Sequence, residues 1–254
     1  MKKSLALVLC ALLFAPVTAA AQAWPTKTVR IIVPFGPGST PDMVGRLIGD
    51  QMQQKLGQPF VIENRPGASA NTGTDIVAKA DPDGYTVGVS LGGPLAINTL
   101  LFAKMPYDPA KDIALITMLT TQPSVLVVQT SLKVESVAEL LELLRKNPEI
   151  RILAVSLGRR SALLPDVPTL KEAGLDVEAD AWNGLIAPAN TPEPIIAKIH
   201  DAAVDALREP LIREKLAAQF MEPIPTTPAQ FRAKIDADLA RWSPVIKALD
   251  LKIN

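Results

Sequence analysis

Residues 29–46, V-R-I-I-V-P-F-G-P-G-S-T-P-D-M-V-G-R, constrain the fold more than any other part of the chain. The β-branched run at its start predicts a buried strand, and the Gly/Pro loop that follows cannot continue it. Thr40 is the predicted N-cap of a helix, Pro41 its first residue and Gly57 its end. Because such a loop directs free N–H groups and the positive end of a helix at one spot, it predicts a site for a carboxylate or phosphate.

The same alternation of strand and helix patterns continues along the chain and predicts an α/β fold with mainly parallel sheets. Further strands are predicted at residues 60–63, 85–90, 124–129, 150–155 and 182–187, and helices at 70–79, 94–102 and 134–146. The last quarter is predicted to be helical, with a capping box at residues 227–230 and a kink at Pro244. Three loops, at 36–42, 64–71 and 90–94, are expected to meet at the carboxyl edge of the sheet.

The N-terminus has the pattern of a secretory signal over residues 1–23. Lys2 and Lys3 precede a short apolar run, and cleavage is possible after Ala21 or Ala23, of which we favour Ala23. The alternative is an uncleaved anchor helix. The one cysteine, Cys10, lies inside this segment, so the exported chain has no disulfide, thiolate metal site or cysteine nucleophile.

Charge and motifs exclude several classes of function. The predicted exported chain has 24 basic and 26 acidic side chains without a block of like charge, so nucleic acid is not an expected partner. There is no Gly-x-Ser-x-Gly elbow and no phosphate-binding Gly-Lys-Ser/Thr loop, and Pro41 occupies the third glycine position of a dinucleotide fingerprint. The only histidine, His200, lies on a predicted helix without a ligand cluster. These observations favour a binding protein without cofactor or metal over an exported hydrolase.

The sequence resembles the substrate-binding proteins of the tripartite tricarboxylate transporter family, also called Bug proteins. The resemblance rests on ordered motifs that cover nearly the whole exported chain: W-P-x-K at 24–27, P-F-x-x-G-x-x-x-D-x-x-x-R at 34–46, G-Q-P at 57–59, E-N-R-P-G-A at 63–68, P-D-G-Y-T at 82–86, L-A-I-N at 95–98, Y-D-P-x-K-D at 107–112, L-P-D-V-P-T at 164–169, E-A-G at 172–174, W-x-G-L at 182–185 and A-P-A-x-T-P at 187–192.

This resemblance implies a type II periplasmic binding protein that closes two lobes around a small organic carboxylate and delivers it to membrane permease subunits. It implies a periplasmic monomer, with lobe 1 at residues 24–122 plus 185–254 and lobe 2 at 123–184. The ligand-binding residues that it implies are Gly38, Ser39, Thr40, Asp42, Ser90, Gly92, Trp182 and Asn183.

The second lobe is shorter than the resemblance requires. The strand start at 147–150 is followed directly by residues that resemble the last strand of the lobe, which indicates an internal deletion near Ile150. The missing part includes a Gly/Ser-rich loop that would grip the carboxylate from the other side. The alternative function is therefore a relic or interaction protein that folds around the first lobe but does not close on a solute.

Several site residues also have structural interpretations. Asp42 either stabilises the helix dipole or contacts a hydroxyl or amino group of the solute, and Thr40 either caps the helix or donates to the carboxylate. Trp182 is a core residue or a stacking surface. The pair Asn64 and Arg65 forms a structural turn or joins the site.

Overall fold

A computed structural model of the chain describes residues 24–126, 130–136, 139, 154–162, 165–174 and 178–253. The predicted signal segment, most of the predicted helix at 134–146 and the predicted gap at Ile150 lie outside the described residues. So do the end of the strand predicted at 124–129 and the start of the one at 150–155.

The strand–loop–helix unit at the start of the chain is confirmed, with a different cap. Strand β1 is Val29–Val33 and helix α1 is Thr40–Leu56, which ends at Gly57 with a φ of 74°. The N-cap is Ser39 rather than Thr40, because Ser39 has an extended backbone (φ −70°, ψ 159°) and Thr40 is already helical. Pro41 is thus the second helical residue, where the missing N–H is also tolerated, since the first four N–H groups of a helix have no partner within it.

After β1, the strands among the described residues are β2 (Phe60–Asn64), β3 (Thr86–Leu91), β4 (Ile113–Pro123), β5 (Val125–Leu126), β6 (Ala154–Val155), β7 (Asp180–Pro188) and β8 (Glu222–Pro223). Six of them form the main sheet in the order β2-β1-β3-β7-β4-β8. The pairs β2–β1 and β1–β3 are parallel, whereas β3–β7, β7–β4 and β4–β8 are antiparallel. The main sheet is therefore mixed, and its parallel part is limited to the strands that the helical crossovers connect.

Helices cover both faces of this sheet. They are α1, α2 (Asn71–Ala78), α3 (Asn98–Leu101, preceded by a π-helical turn at Gly93–Ile97), α4 (Glu193–Arg208), α5 (Pro210–Ala217) and α6 (Pro228–Ala248). Helices α1, α4 and α5 pack on one face and α2 and α6 on the other. Successive strand residues alternate between the two cores, as Ile31 and Ile32 do. Helix α6 begins with the predicted capping box at Thr227 and runs through Pro244 without interruption.

Strands β4 and β7 connect the main sheet to the second lobe. They pair from Ile113↔Pro188 to Pro123↔Asp180, and the chain beyond them forms the small antiparallel pair β5–β6. The sequence predicts no strand at residues 113–123, where the structure has the 11-residue strand β4. The lobe boundary predicted between residues 184 and 185 falls inside β7. This strand is already part of the main sheet before the boundary, because it pairs with β3 from Asn183 onward.

Glu222 attaches the shortened second lobe to the edge of the main sheet. Its carboxylate accepts hydrogen bonds from Arg159 Nη2 (2.6 Å), Ser161 Oγ (2.7 Å) and the N–H of Ala162 (3.1 Å). Burial alone would raise the pKa of Glu222, but the bonds from Ser161 and Arg159 outweigh it and hold the pKa below its ordinary value. The carboxylate is therefore charged at neutral pH and fixes the loop at 159–162.

Candidate functional site

The N-terminus of α1 has free donors. The Ser39 hydroxyl does not cap the helix, because it donates to Gly36 O at 2.7 Å instead. Within the described residues, neither the N–H nor the hydroxyl of Thr40 makes a hydrogen bond. This 17-residue helix therefore presents its positive end and uncapped N–H groups to the space in front of the loop.

The carboxylate of Asp42 stabilises the loop at residues 36–42 through hydrogen bonds. The residue is 2% exposed, and its carboxylate accepts four bonds, from Gly38 N (2.9 Å), Arg46 Nε (3.0 Å), Arg46 Nη2 (2.9 Å) and Asn64 Nδ2 (2.8 Å). Burial alone would raise the pKa of Asp42, but the bonds from Arg46, Asn64 and Gly38 outweigh it and keep the pKa below its ordinary value. With both oxygens occupied, Asp42 fixes the loop and does not reach the cavity in front of it.

A cavity of about 450 Å³ lies between this loop and the strands that lead to the second lobe. It brings together five of the eight predicted ligand residues, from two distant parts of the sequence. Its lining residues are Phe35, Gly38, Ser39, Thr40, Pro41, Leu91, Gln122, Ala181, Trp182 and Asn183. We call this space the loop cavity. The other five lining residues, Phe35, Pro41, Leu91, Gln122 and Ala181, are not among these eight. Gln122 lies on β4, the strand that the sequence did not predict.

Asn183 lines the loop cavity and has a buried polar atom without a partner. The residue is 2% exposed, its Nδ2 donates to Thr120 Oγ1 at 3.0 Å, and its Oδ1 has no partner among the described residues. Because the Thr120 hydroxyl both donates and accepts, the amide can present either its oxygen or its nitrogen to a ligand. A buried polar group without a partner costs about 1–3 kcal/mol, so a ligand that satisfies it gains affinity.

Trp182 lines both the loop cavity and a second cavity of about 410 Å³. Its ring packs edge-on against Phe231, with centroids 5.4 Å apart, and its Nε1 donates to Asp238 Oδ2 at 2.8 Å. The second cavity, which we call the tryptophan cavity, is lined by Leu91, Gly92, Gly93, Ile97, Ala179, Asp180, Ala181, Trp182, Asp238 and Trp242. Gly92 therefore lines the tryptophan cavity rather than the loop cavity. Trp182 is a core residue that also lines both cavities, and its role as a stacking surface for a ligand stays a prediction.

Ser90 does not reach either cavity. It is completely buried, and its hydroxyl shares a hydrogen bond with Thr74 Oγ1 on α2 at 3.1 Å. Since side chains alternate along a strand, the next residue, Leu91, is the one that lines both cavities. The prediction that Ser90 contacts the ligand is therefore not supported by its position.

The predicted loop at residues 64–71 has a structural role at both of its ends. Asn64 Nδ2 donates to Phe35 O (2.9 Å) as well as to Asp42, which ties β2 to the first loop. Asn71 accepts bonds from Asn98 Nδ2 (2.7 Å) and Tyr107 OH (3.1 Å) in a buried network. Asn64 and Asn71 therefore help to position the walls of the loop cavity, but they do not line it.

No metal site is found in the part of the chain that the structure describes, where no three His, Cys, Asp or Glu side chains form a suitable group. His200 lies on α4 with its Nε2 3.1 Å from Thr226 O and its Nδ1 3.0 Å from Asp201 Oδ1. No helix among the described residues is long and apolar enough to cross a bilayer.

Comparison with known proteins gives consistent relatives over almost the whole chain. BugT of Bordetella pertussis is 27% identical, covering 94% of this chain and 94% of its own. A protein of the ttuE–ttuC' intergenic region of Agrobacterium vitis is 28% identical, covering 95% of this chain and 90% of its own. The BugT alignment spans 308 residues, whereas 94% of this chain is about 239 residues, so about 70 positions lack a counterpart here.

Solved structures show the same fold. A Rhodopseudomonas palustris protein with adipate, Rpa4515, is 28% identical with a TM-score of 0.79 and matches 91% of this chain and 100% of its own. MatC from the same organism, with bound malate, is 26% identical with a TM-score of 0.76 and matches 88% of this chain and 100% of its own. The family model of the tripartite tricarboxylate transporter family receptor, TctC, matches residues 44–150 and 148–251. These two segments meet where the sequence indicates a deletion, and together they show that the chain belongs to the TctC receptor family of periplasmic binding proteins with a shortened second lobe.

Proposed function

We propose that this chain is a periplasmic, monomeric receptor that captures a small organic carboxylate in the loop cavity and delivers it to the permease subunits of a tripartite transporter. The observation that carries the proposal is the pairing of free donors at the N-terminus of α1 with the unsatisfied amide of Asn183 across one cavity. The adipate and malate in two related structures are consistent with a carboxylate ligand.

The charges around the loop are compatible with a bound anion, although the acidic residue Asp42 lies next to the helix end. The charge of Asp42 is neutralised by Arg46, whose guanidinium makes a bidentate pair with the carboxylate. The helix end therefore faces the cavity without an unpaired negative charge beside it. A carboxylate placed there would receive N–H bonds from the helix end, and such charge-assisted bonds contribute about 1.5–3 kcal/mol each.

The alternative of a binding-defective relic is favoured by one observation. Among the described residues, the loop cavity is lined only by the first lobe and by β4 and β7, with no residue from 124–179. A two-lobed binding protein that makes no contacts to the ligand from its second lobe excludes less water and binds the ligand with fewer donors. This alternative predicts a folded chain that binds no carboxylate at micromolar concentration.

Isothermal titration calorimetry and thermal unfolding with mono-, di- and tricarboxylates separate the two functions. The variant Asn183→Asp adds a negative charge to the cavity wall and is expected to weaken carboxylate binding by about tenfold or more. Asn190→Asp adds the same charge at an exposed turn and serves as the matched control. Saturable binding that only Asn183→Asp weakens supports the receptor, whereas a folded wild-type chain that binds none of the compounds contradicts it.

A further inference from the structure

Leu91, Ala181 and Trp182 line both the loop cavity and the tryptophan cavity, so the two cavities are adjacent. We infer that the preferred solute is a monocarboxylate whose apolar body extends from the loop cavity into the tryptophan cavity, and not a di- or tricarboxylate. This inference rests on the proposed function, because it places the single carboxylate at the N-terminus of α1. It adds the chemical class of the rest of the ligand.

The surfaces of the tryptophan cavity suit an apolar group. Six of the eight side chains that line it are apolar, those of Leu91, Ile97, Ala179, Ala181, Trp182 and Trp242, and the glycines at 92 and 93 add none. A Cβ on Gly92 would lie 3.3 Å from three atoms of the Trp182 indole, so the absence of a side chain lets the backbone approach the ring closely. With aromatic and aliphatic walls of this kind, the free energy of binding becomes more favourable in proportion to the apolar ligand area that is buried.

Among the described residues, the charged groups that line the tryptophan cavity are two acids, Asp180 and Asp238, and both are already paired. Lys234 Nζ lies 2.6 Å from Asp180 Oδ1 and 2.9 Å from Asp238 Oδ1. The remaining oxygens accept from Thr121 Oγ1 (3.2 Å) and Trp182 Nε1 (2.8 Å). All four carboxylate oxygens therefore already accept a hydrogen bond within the protein, and neither acid depends on a ligand for a partner.

In the part of the chain that the structure describes, a second ligand carboxylate would meet no unpaired cation in this cavity. Lys234 is held between two acids and is 18% exposed at its side chain. The next cation, Arg241, is shared between Asp238 (3.7 Å) and Glu178 (3.4 Å). Two basic groups thus face three acidic ones, and this negative balance opposes an additional anion.

Hexanoate and adipate test the inference directly, because both have six carbons and a methyl group in one replaces a carboxylate in the other. Titrations of the purified protein, by calorimetry and by tryptophan fluorescence, are expected to show hexanoate binding about tenfold tighter than adipate or more, equivalent to about 1.4 kcal/mol. Phenylacetate is expected to bind like hexanoate and to change the fluorescence of Trp182 and Trp242.

Two variants locate the apolar body. Trp242→Ala removes a wall of the tryptophan cavity. It is expected to weaken hexanoate binding at least about fivefold and to leave the affinity for adipate nearly unchanged. Val245→Ala, on the same helix but 42% exposed and outside both cavities, is the matched control. Adipate binding as tight as hexanoate, or equal loss of both ligands in Trp242→Ala, overturns this inference and leaves the receptor function intact. Failure of every carboxylate to bind the folded protein overturns both.

Discussion

Replacing Asp42 with Asn tests whether this residue braces the candidate site. The wild-type carboxylate accepts four hydrogen bonds from three residues and has almost no contact with water. An amide of the same size has only one acceptor oxygen. If that oxygen keeps the bonds from Arg46 Nη2 and Asn64, the new NH₂ group faces the donors Gly38 N–H and Arg46 Nε–H, and donors cannot bond each other.

The structure sets the expected size of the effect. Two charge-assisted bonds are lost, and each contributes about 1.5–3 kcal/mol when the groups are buried. The Arg46 side chain is 51% exposed, so water replaces part of its lost interaction. We therefore expect Asp42→Asn to lower the free energy of unfolding by about 2–3 kcal/mol, and to move the urea midpoint down by about 1 M.

The pH dependence distinguishes loss of charge from a general packing defect. Because the pKa of Asp42 is lower in the folded state than its ordinary value, its contribution is complete above the unfolded pKa of about 3.9 and is lost as the pH falls through the folded value. The difference in unfolding free energy between wild type and Asp42→Asn should thus be constant from about pH 7 to 5 and should narrow below about pH 4.

Urea unfolding followed by circular dichroism measures this difference, and Asp50→Asn provides the control on the exposed side of the same helix. The control should change stability by less than about 0.5 kcal/mol. A loss below about 0.5 kcal/mol for Asp42→Asn, or a difference that stays constant down to pH 2.5, would refute the role of the charged brace.

Three further variants test how the parts of the fold are held together. Gly184→Ala should cost about 1–3 kcal/mol of stability in urea unfolding, because the new Cβ would lie only 2.2 Å from Phe231 Cζ. Thr227→Ala should cost about 1 kcal/mol in the same assay, since it removes the side-chain cap of α6; an unchanged midpoint would contradict this. Glu222→Ala should leave the sheet intact but increase amide hydrogen exchange at residues 159–162, and unchanged protection of this loop would show that other contacts fix it.

Much of the first loop could be predicted from the sequence because its signals are local. The β-branched run of β1, the Gly/Pro loop and the αL glycine at position 57 each act within a few residues of themselves. The capping box at Thr227 is equally local and was predicted correctly. The shift of the N-cap from Thr40 to Ser39 shows the limit of such signals, since either residue is a suitable cap and Pro is tolerated at the first or second helical position.

The sequence by itself determined the alternation of strands and helices, the family motifs and the loop at the start of α1. Only the tertiary structure decided that Ser90 points away from the cavities, that Asp42 is saturated by Asn64 from a neighbouring strand, and that Asp238 of α6 holds Trp182. The physical reason is the distance along the sequence over which the deciding interactions act. A strand or a cap depends on neighbours a few residues away, whereas the direction of a side chain and the use of a charge depend on strand pairing and on contacts between residues far apart, 56 positions for Trp182 and Asp238.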